Sequence, residues 1–445
     1  MEHINFLSPY KDFVVGVDTK VPLADQTFTT AINFDNAATT PPFDCVMNDL
    51  VEFSPWYSSI HRGAGYKSQY STKLYEESRK IISSFIGADM DYHSIIFLKN
   101  TTEAINKLSN KLLALHKDGV VLSTCMEHHS NDLPWRNKYT VDYIAVDKYG
   151  ELSMEDLKNK LISYGKKVQL VTITGASNVT GYINPIHEIA ELVHQHGAKL
   201  LVDGAQLVPH GPVNMKPVEH PQHIDYLVFS AHKMYAPFGT GVLIGPKDTF
   251  RESPPDYTGG GTVQFVSHDH IKWLDPPERE EAGTPNIMGV LALSSAIKKL
   301  LSIGMAQVES YERALTRHAY ESLSNIPNVE LYTNKSHLHR TISIIPFNIK
   351  GLHHSIVAAA LSKEFGIAVR NGCFCAQPYL QRLLNVSAED SEEYMKDPTL
   401  PMPGMVRLSF GIYNSIEEIN ILTKALFHIS RNRDLYLQKY NIQEI

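Results

Sequence analysis

The 445-residue chain carries 41 Lys and Arg against 48 Asp and Glu, a formal net charge of −7 that leaves no basic excess for neutralising nucleic-acid phosphates. Its four cysteines are too few for a disulfide framework and suit a reducing compartment. With no run near the roughly 20 apolar residues of a membrane span and no secretory signal in MEHINFLSPYKDF, a cytoplasmic enzyme of two or three domains is expected, with no membrane partner.

Residues 1–32 show little periodicity and read as an N-terminal arm. NFDNAATTPP (33–42) is a mixture of strand edge and turn residues. SSIHRGAGYKSQYSTKLY (58–75) reads as a loop before a long helix, with Ser71 or Thr72 as its N-cap. A strand is predicted over 95–98 and a helix over 99–115, with Asn100, Thr101 and Thr102 at the helix start. Capping alone explains those residues, yet the free N–H groups and positive dipole end also make a phosphate cradle. The strand over 120–123 leads into CMEHHSNDLPW (125–135). His128 and His129 are adjacent and point apart, and no third ligand is near, so no metal site is assigned. Strands over 143–146, 170–174 and 199–202 alternate with helices over 153–164 and 185–196, which predicts a parallel sheet covered on both faces. ASNVTG (176–181) is a turn.

Two stretches carry chemistry. In AKLLVDGAQLVPH (198–210) a buried run ends in Asp203, Gly204, Ala205 and Gln206. In DYLVFSAHKMYAPFGTGVLIG (225–245) the run 226–229 ends in Ser230, Ala231, His232 and Lys233, and a further strand is expected over 242–244. A partly desolvated lysine at a strand end loses its proton readily, and can then hold an aldehyde as a Schiff base. Asp203 lies 30 residues before it. An acid at the carboxyl end of a parallel strand suits the ring nitrogen of pyridoxal phosphate. TGGGT (258–262) could approach an anion closely.

Helices over 289–303 and 305–326 bridge to a smaller lobe with a strand over 342–349, a helix near 356–364 and a last helix from Ile416, an α+β pattern. There GIAVRNGCFCAQPYL (366–380) sets Cys373 and Cys375 one residue apart, too close for a metal finger and poorly suited to a mutual disulfide. Arg370, five residues before Cys375, would favour its thiolate. SAEDSEEYMKDPTLPMPG (387–404) reads as a solvent loop, with a site cover or a docking point for a partner as the alternative.

DGAQ followed by SAHKMYAPFGTGVLIG resembles the class V aminotransferase family, in particular the Suf-type cysteine desulfurases and selenocysteine lyases. The resemblance implies an α/β, fold-type I pyridoxal-phosphate enzyme: a large, mainly parallel-sheet domain over 33–290 and a small α+β C-terminal domain over 291–445. It implies pyridoxal 5'-phosphate held by Lys233, with Asp203 at the ring nitrogen, Gln206 at the phenolic oxygen and His128 flat on the ring. Thr101, Thr102, Ser230 and His232 would meet the phosphate, joined by Thr284 of EAGTPNI from the neighbouring subunit of a homodimer. Asn178 would lie by both the cofactor and the substrate carboxylate. Asn36, His61, Arg370 and Arg407 gain weight as substrate-binding residues, Arg407 as a bidentate carboxylate clamp. Cys375 would take sulfur from L-cysteine, leaving alanine and a persulfide for an acceptor protein. The run Cys-Phe-Cys departs from the usual Suf pattern and resembles molybdenum-cofactor sulfurases. A selenocysteine lyase, another C–S lyase or an epimerase of the same family is the alternative.

Overall fold

In the computed structural model, which describes residues 7–115, 118–397 and 399–440, the buried apolar runs become one seven-stranded sheet. Its strands are β1 (His93–Leu98), β2 (Val120–Thr124), β3 (Thr140–Ile144), β4 (Val168–Thr174), β5 (Lys199–Asp203), β6 (Tyr226–Ser230) and β7 (Gly241–Pro246). The spatial order is β1-β7-β6-β5-β4-β2-β3. Pairing is parallel from β6 to β3, but β7 runs antiparallel to both of its neighbours. The sheet is thus mainly parallel, as expected, with one antiparallel strand inserted. Only ten residues separate β6 from β7, short of the dozen or more that a parallel crossover needs, so the chain turns back directly.

The strand expected over 143–146 sits earlier, at Thr140–Ile144. It is the sheet edge, where Thr140 and Asp142 face water and the apolar signal is diluted. Helices cover both faces, as at Met154–Tyr164, where Ser153 Oγ accepts from Asp156 N. The long helix after the His-Arg-Gly segment is Tyr66–Ile86, one turn and more ahead of the expected cap. Ser71 and Thr72 lie inside it, and their hydroxyls bond to Trp56 O and Ser68 O.

The small lobe holds an antiparallel sheet of β8 (Val329–Leu331), β9 (Ile344–Ile349), β10 (Arg370–Gly372) and β11 (Met405–Ser409), in the order β8-β9-β11-β10. Its core includes Phe347, Leu361, Leu408 and Leu426, together with Ile32 and Phe34 from the start of the chain. The N-terminal segment thus has partners: Lys20–Pro22 and Phe28–Thr30 form a hairpin, and Ile32–Asn33 pairs with Ile367–Ala368. Residues 1–6 of the expected arm lie outside the described residues. The helix Ile287–Ile303 packs in the larger lobe's core, against the helices Asp44–Phe53 and Tyr66–Ile86. Among the described residues no single helix is long and apolar enough to cross a membrane.

Candidate active site

β6 is buried along its whole length, and the short turn Ala231–Lys233 carries the lysine past its carboxyl end. β5 ends beside it at Asp203 and β4 at Thr174. These strand ends, the start of the helix Thr101–Leu115 and two segments of the small lobe enclose a cavity of about 250 Å³. Thr101, Thr102, His128, Asn178, Asp203 and Gln206 line it from the large lobe, with Ser230, His232 and Lys233. Arg370, Cys375 and Arg407 line it from the small lobe, so one space joins residues 306 positions apart in the chain.

Burial draws the Lys233 ammonium down to about 8, opposed by Asp203 and aided by the charge of Arg407. Asp203 is itself buried, which raises its pKa; its Oδ1 accepts from Ala205 N at 3.0 Å. His128 is drawn down to about 3 by burial, with Lys233, His129 and Arg407 adding to the effect. Its Nδ1 accepts from Ser130 N at 3.1 Å, which assigns the ring proton to Nε2. His232 falls to about 4, again chiefly through burial.

At the phosphate-like end Asn100 Oδ1 caps the helix by accepting from Glu103 N at 2.9 Å. Thr101 N and Thr101 Oγ1 both meet Ser230 Oγ, at 2.9 and 2.7 Å. Among the described residues Thr102 N–H has no protein acceptor, which leaves a first-turn donor facing the cavity. Gln206 donates to Ala37 O at 2.7 Å while its Oε1 is buried without a partner. A lone buried carboxylate, an unfilled amide and a helix N-terminus with hydroxyls at one cavity fit pyridoxal phosphate.

Arg370 and Arg407 stand directly opposite each other on β10 and β11. Two like charges in that register repel. Asp35 lies against both: its Oδ1 is 3.3 Å from Arg407 Nη2 and its Oδ2 is 3.7 Å from Arg370 Nη1. Burial raises the Asp35 pKa, against the pull of the two arginines. Arg407 is 3% exposed, donates to Asn178 O at 2.9 Å and leaves Nε unpartnered. Its guanidinium lies 4.9 Å from the Phe374 ring centroid. Burial draws it down to about 10.

Cys375 is exposed at the cavity, and it and Phe374 both adopt φ of +54°. Left-handed backbone at two successive non-glycine residues costs free energy and persists only when neighbours hold it. Asn178 Nδ2 donates to Phe374 O at 2.7 Å, and His129 N donates to Cys375 O at 2.6 Å. Gln377 N donates to His129 Nε2 at 3.2 Å, and Ala376 N to Cys373 O at 3.0 Å. His129 is therefore a holder of the cysteine loop.

Three expected site residues lie away from the cavity. Asn36 is 1% exposed, and its amide is consumed by Asn33 O, Ser409 O, Asn414 Oδ1 and the Tyr413 hydroxyl. It fastens the two lobes and has no hydrogen left for a substrate. His61 is exposed, 3.9 Å from Glu76, with its ring edge-on to Tyr75. Thr284 is exposed in a separate depression with Lys99, Gly239 and Pro285. The glycines at 259–261 precede the hairpin Val263–Val266/Ile271–Trp273 and do not reach the cavity. The expected solvent loop over 387–404 contains a helix, Ala388–Lys396, with Ser387 Oγ accepting from Asp390 N and no buried residue. Its Ser-x-x-Asp start is a cap signal that composition alone obscures.

Asp35, Ser130 and Phe374 are site residues that sequence reasoning missed. Asp35 stood within the singled-out NFDNAATT segment, but nothing local shows which acid meets an arginine 372 residues away.

An open α/β sheet with a lysine and an acid at its strand ends, closed by a second lobe, defines a class of cofactor-dependent enzymes. The family model for aminotransferase class-V matches residues 32–422, and the chain belongs to that family. It is 34% identical over 407 residues to a cysteine desulfurase of Escherichia coli O8, covering 89% of this chain and 93% of that one. It is 33% identical over 427 residues to a cysteine desulfurase of Haloferax volcanii, covering 94% of each. The apo structure of a cysteine desulfurase from Thermococcus onnurineus NA1 superimposes with a TM-score of 0.82 at 33% identity, covering 96% of this chain and 99% of that one.

Proposed function

We propose that this protein is a pyridoxal-phosphate-dependent cysteine desulfurase that takes sulfur from L-cysteine and holds it as a persulfide on Cys375. The observation that carries the reading is one cavity that joins Lys233 and Asp203 to an exposed, strained Cys375. When bound, pyridoxal phosphate supplies the electron sink that makes the substrate's C–S bond labile. Lys233 would hold it, with Asp203 at the ring nitrogen, Gln206 at the phenolic oxygen and the neutral His128 ring against its face. Thr101, Thr102, Ser230 and His232 would bind the phosphate.

Arg407 and Asn178 orient the amino acid, the guanidinium by its carboxylate. Arg370 keeps a second positive charge at the mouth. Lys233, with its lowered pKa, moves the proton at the substrate carbons. The Cys375 thiolate attacks the substrate sulfur, so that the S–C bond breaks, an S–S bond forms and alanine leaves. The exposed Cys375 suits onward transfer to a sulfur-acceptor protein. Thr284, exposed and outside its own cavity, suits a homodimer in which it completes the neighbouring site. The four cysteines are free, which agrees with a cytoplasmic setting.

The test is to give the holoenzyme L-cysteine and follow alanine and protein-bound sulfane sulfur, beside Cys375→Ser. Equal alanine and persulfide from the wild type, with both lost in the variant, support the reading. Turnover without alanine, or activity that survives the substitution, moves the chain to a lyase or epimerase of the same family.

A further inference from the structure

At the end of the sheet remote from the cavity, three side chains converge just before β6. His194 Nε2 lies 2.8 Å from Asp225 Oδ2, and His223 Nε2 lies 3.6 Å from Asp225 Oδ1. The ligand atoms of the three residues fall within 4.8 Å of one another. Both imidazoles are fixed from behind: His194 Nδ1 donates to Pro221 O and His223 Nδ1 to His220 O, each at 2.8 Å. A carbonyl can only accept, so each neutral ring presents its Nε2 lone pair to the carboxylate. Lone pair against lone pair is repulsive unless a proton or a metal ion lies between them. The two rings also stack, with centroids 4.1 Å apart and planes 17° apart, so protonating both would set two cations face to face.

A carbonyl on one ring nitrogen with the other nitrogen free toward an acid is how proteins orient histidine ligands to a metal. His93 supplies an independent sign. It is 2% exposed, its Nδ1 meets Asp89 O at 3.1 Å, and its buried Nε2 has no partner. It pairs with Pro246 on β7, and continuing the β7–β6 register brings Asp225 opposite that proline on the same face. The charges of His223 and Asp225 both reach it.

We infer that His194, His223 and Asp225 form a binding site for a divalent transition metal of the zinc class. Two imidazoles and a carboxylate are a donor set such ions favour over calcium or magnesium. Zinc ligands at about 2.0–2.1 Å from the ion stand roughly 3.3 Å apart, which small side-chain rotations reach from the observed spacing. Asp225 is buried, while His194 and His223 keep 18% and 14% of their side chains exposed, so water can fill an open position. The metal would tie the helix Ile186–Gln195, the turn at 220–223 and the start of β6 together. Five strand residues, about 17 Å, separate it from the lysine end, so its role is structural.

The test uses the holoenzyme, stripped with a chelator and titrated with Zn²⁺ and Co²⁺, beside His194→Ala and His223→Ala. One ion per chain is expected, with at least about a hundredfold loss of affinity in either variant. The cobalt form should show d–d bands without thiolate charge transfer. Wild-type Tm should rise on adding zinc and that of both variants should not, while cysteine turnover by His223→Ala stays unchanged. No binding by the wild type at micromolar zinc would overturn the proposal. So would equal binding by both variants, which would put the ion on thiols.

Discussion

Replacing His129 by alanine tests how the cysteine is held. Phe374 and Cys375 at φ +54° cost about 1–2 kcal/mol each, or roughly 2–4 kcal/mol together. Four hydrogen bonds at Phe374 O, Cys375 O, Cys373 O and Gln377 N oppose that strain, at about 1 kcal/mol each. The two sums nearly balance, so one bond decides whether the thiol stays aimed at the substrate. His129→Ala removes the acceptor for Gln377 N but keeps the backbone bond from residue 129 to Cys375 O. The expected result is a five- to tenfold slower persulfide formation in single-turnover mixing with L-cysteine, the equivalent of about 1 kcal/mol. The cofactor absorption band should be unchanged, because His129 does not line the cavity. His129→Gln, which restores an acceptor, should recover part of the rate. An unchanged rate in His129→Ala, or a fall that comes with loss of the cofactor band, would refute the reasoning.

The lowered Lys233 pKa implies that cofactor uptake by the apoprotein quickens with pH, about tenfold per unit below 8 and level above it, because only the neutral amine is nucleophilic; a flat stopped-flow profile would contradict it. Asp35→Asn leaves Arg370 and Arg407 opposed without a counter-charge. Removing a partner from a buried pair costs roughly 3–5 kcal/mol, which the partial exposure of Asp35 reduces to about 1–3 kcal/mol in urea unfolding; an unmoved midpoint would count against the bridge. His128 and His354 are held near 3 and 4 by burial, so the native state binds fewer protons than the unfolded chain between those values and 6.5. Their contribution is full above pH 6.5 and is lost as pH falls, by about 1.4 kcal/mol per unit for each group, which denaturation at pH 7 and 5 would detect.

The sheet was legible because its strands are short buried runs ending in residues that do chemistry, as at Asp203 and Lys233. Local pattern reports such features directly. Direction was not legible for β7, since periodicity is blind to polarity and only the length of the connection bears on it. The cavity-lining residues at strand ends and at the helix start were found for the same local reason. Asn36 was misjudged because an asparagine that cross-links two lobes and one that binds a ligand look alike in sequence; the difference lies in Ser409 and Asn414, far along the chain.

The cysteine loop shows the limit most plainly. Nothing between Arg370 and Gln377 marks Phe374 and Cys375 as left-handed, because neither is a residue that favours that region. Two of the four bonds that hold them come from residues of the large lobe, Asn178 and the His129 backbone, and a third ends on the His129 ring. The nucleophile's position is thus set by the docking of the lobes, through contacts between residues nearly 200 or more apart in sequence. Any shift of the small lobe that moves Cys375 must break those ties together. The strain is then unopposed and favours release, so the aim of the thiol depends on the docked lobes as much as on the loop itself.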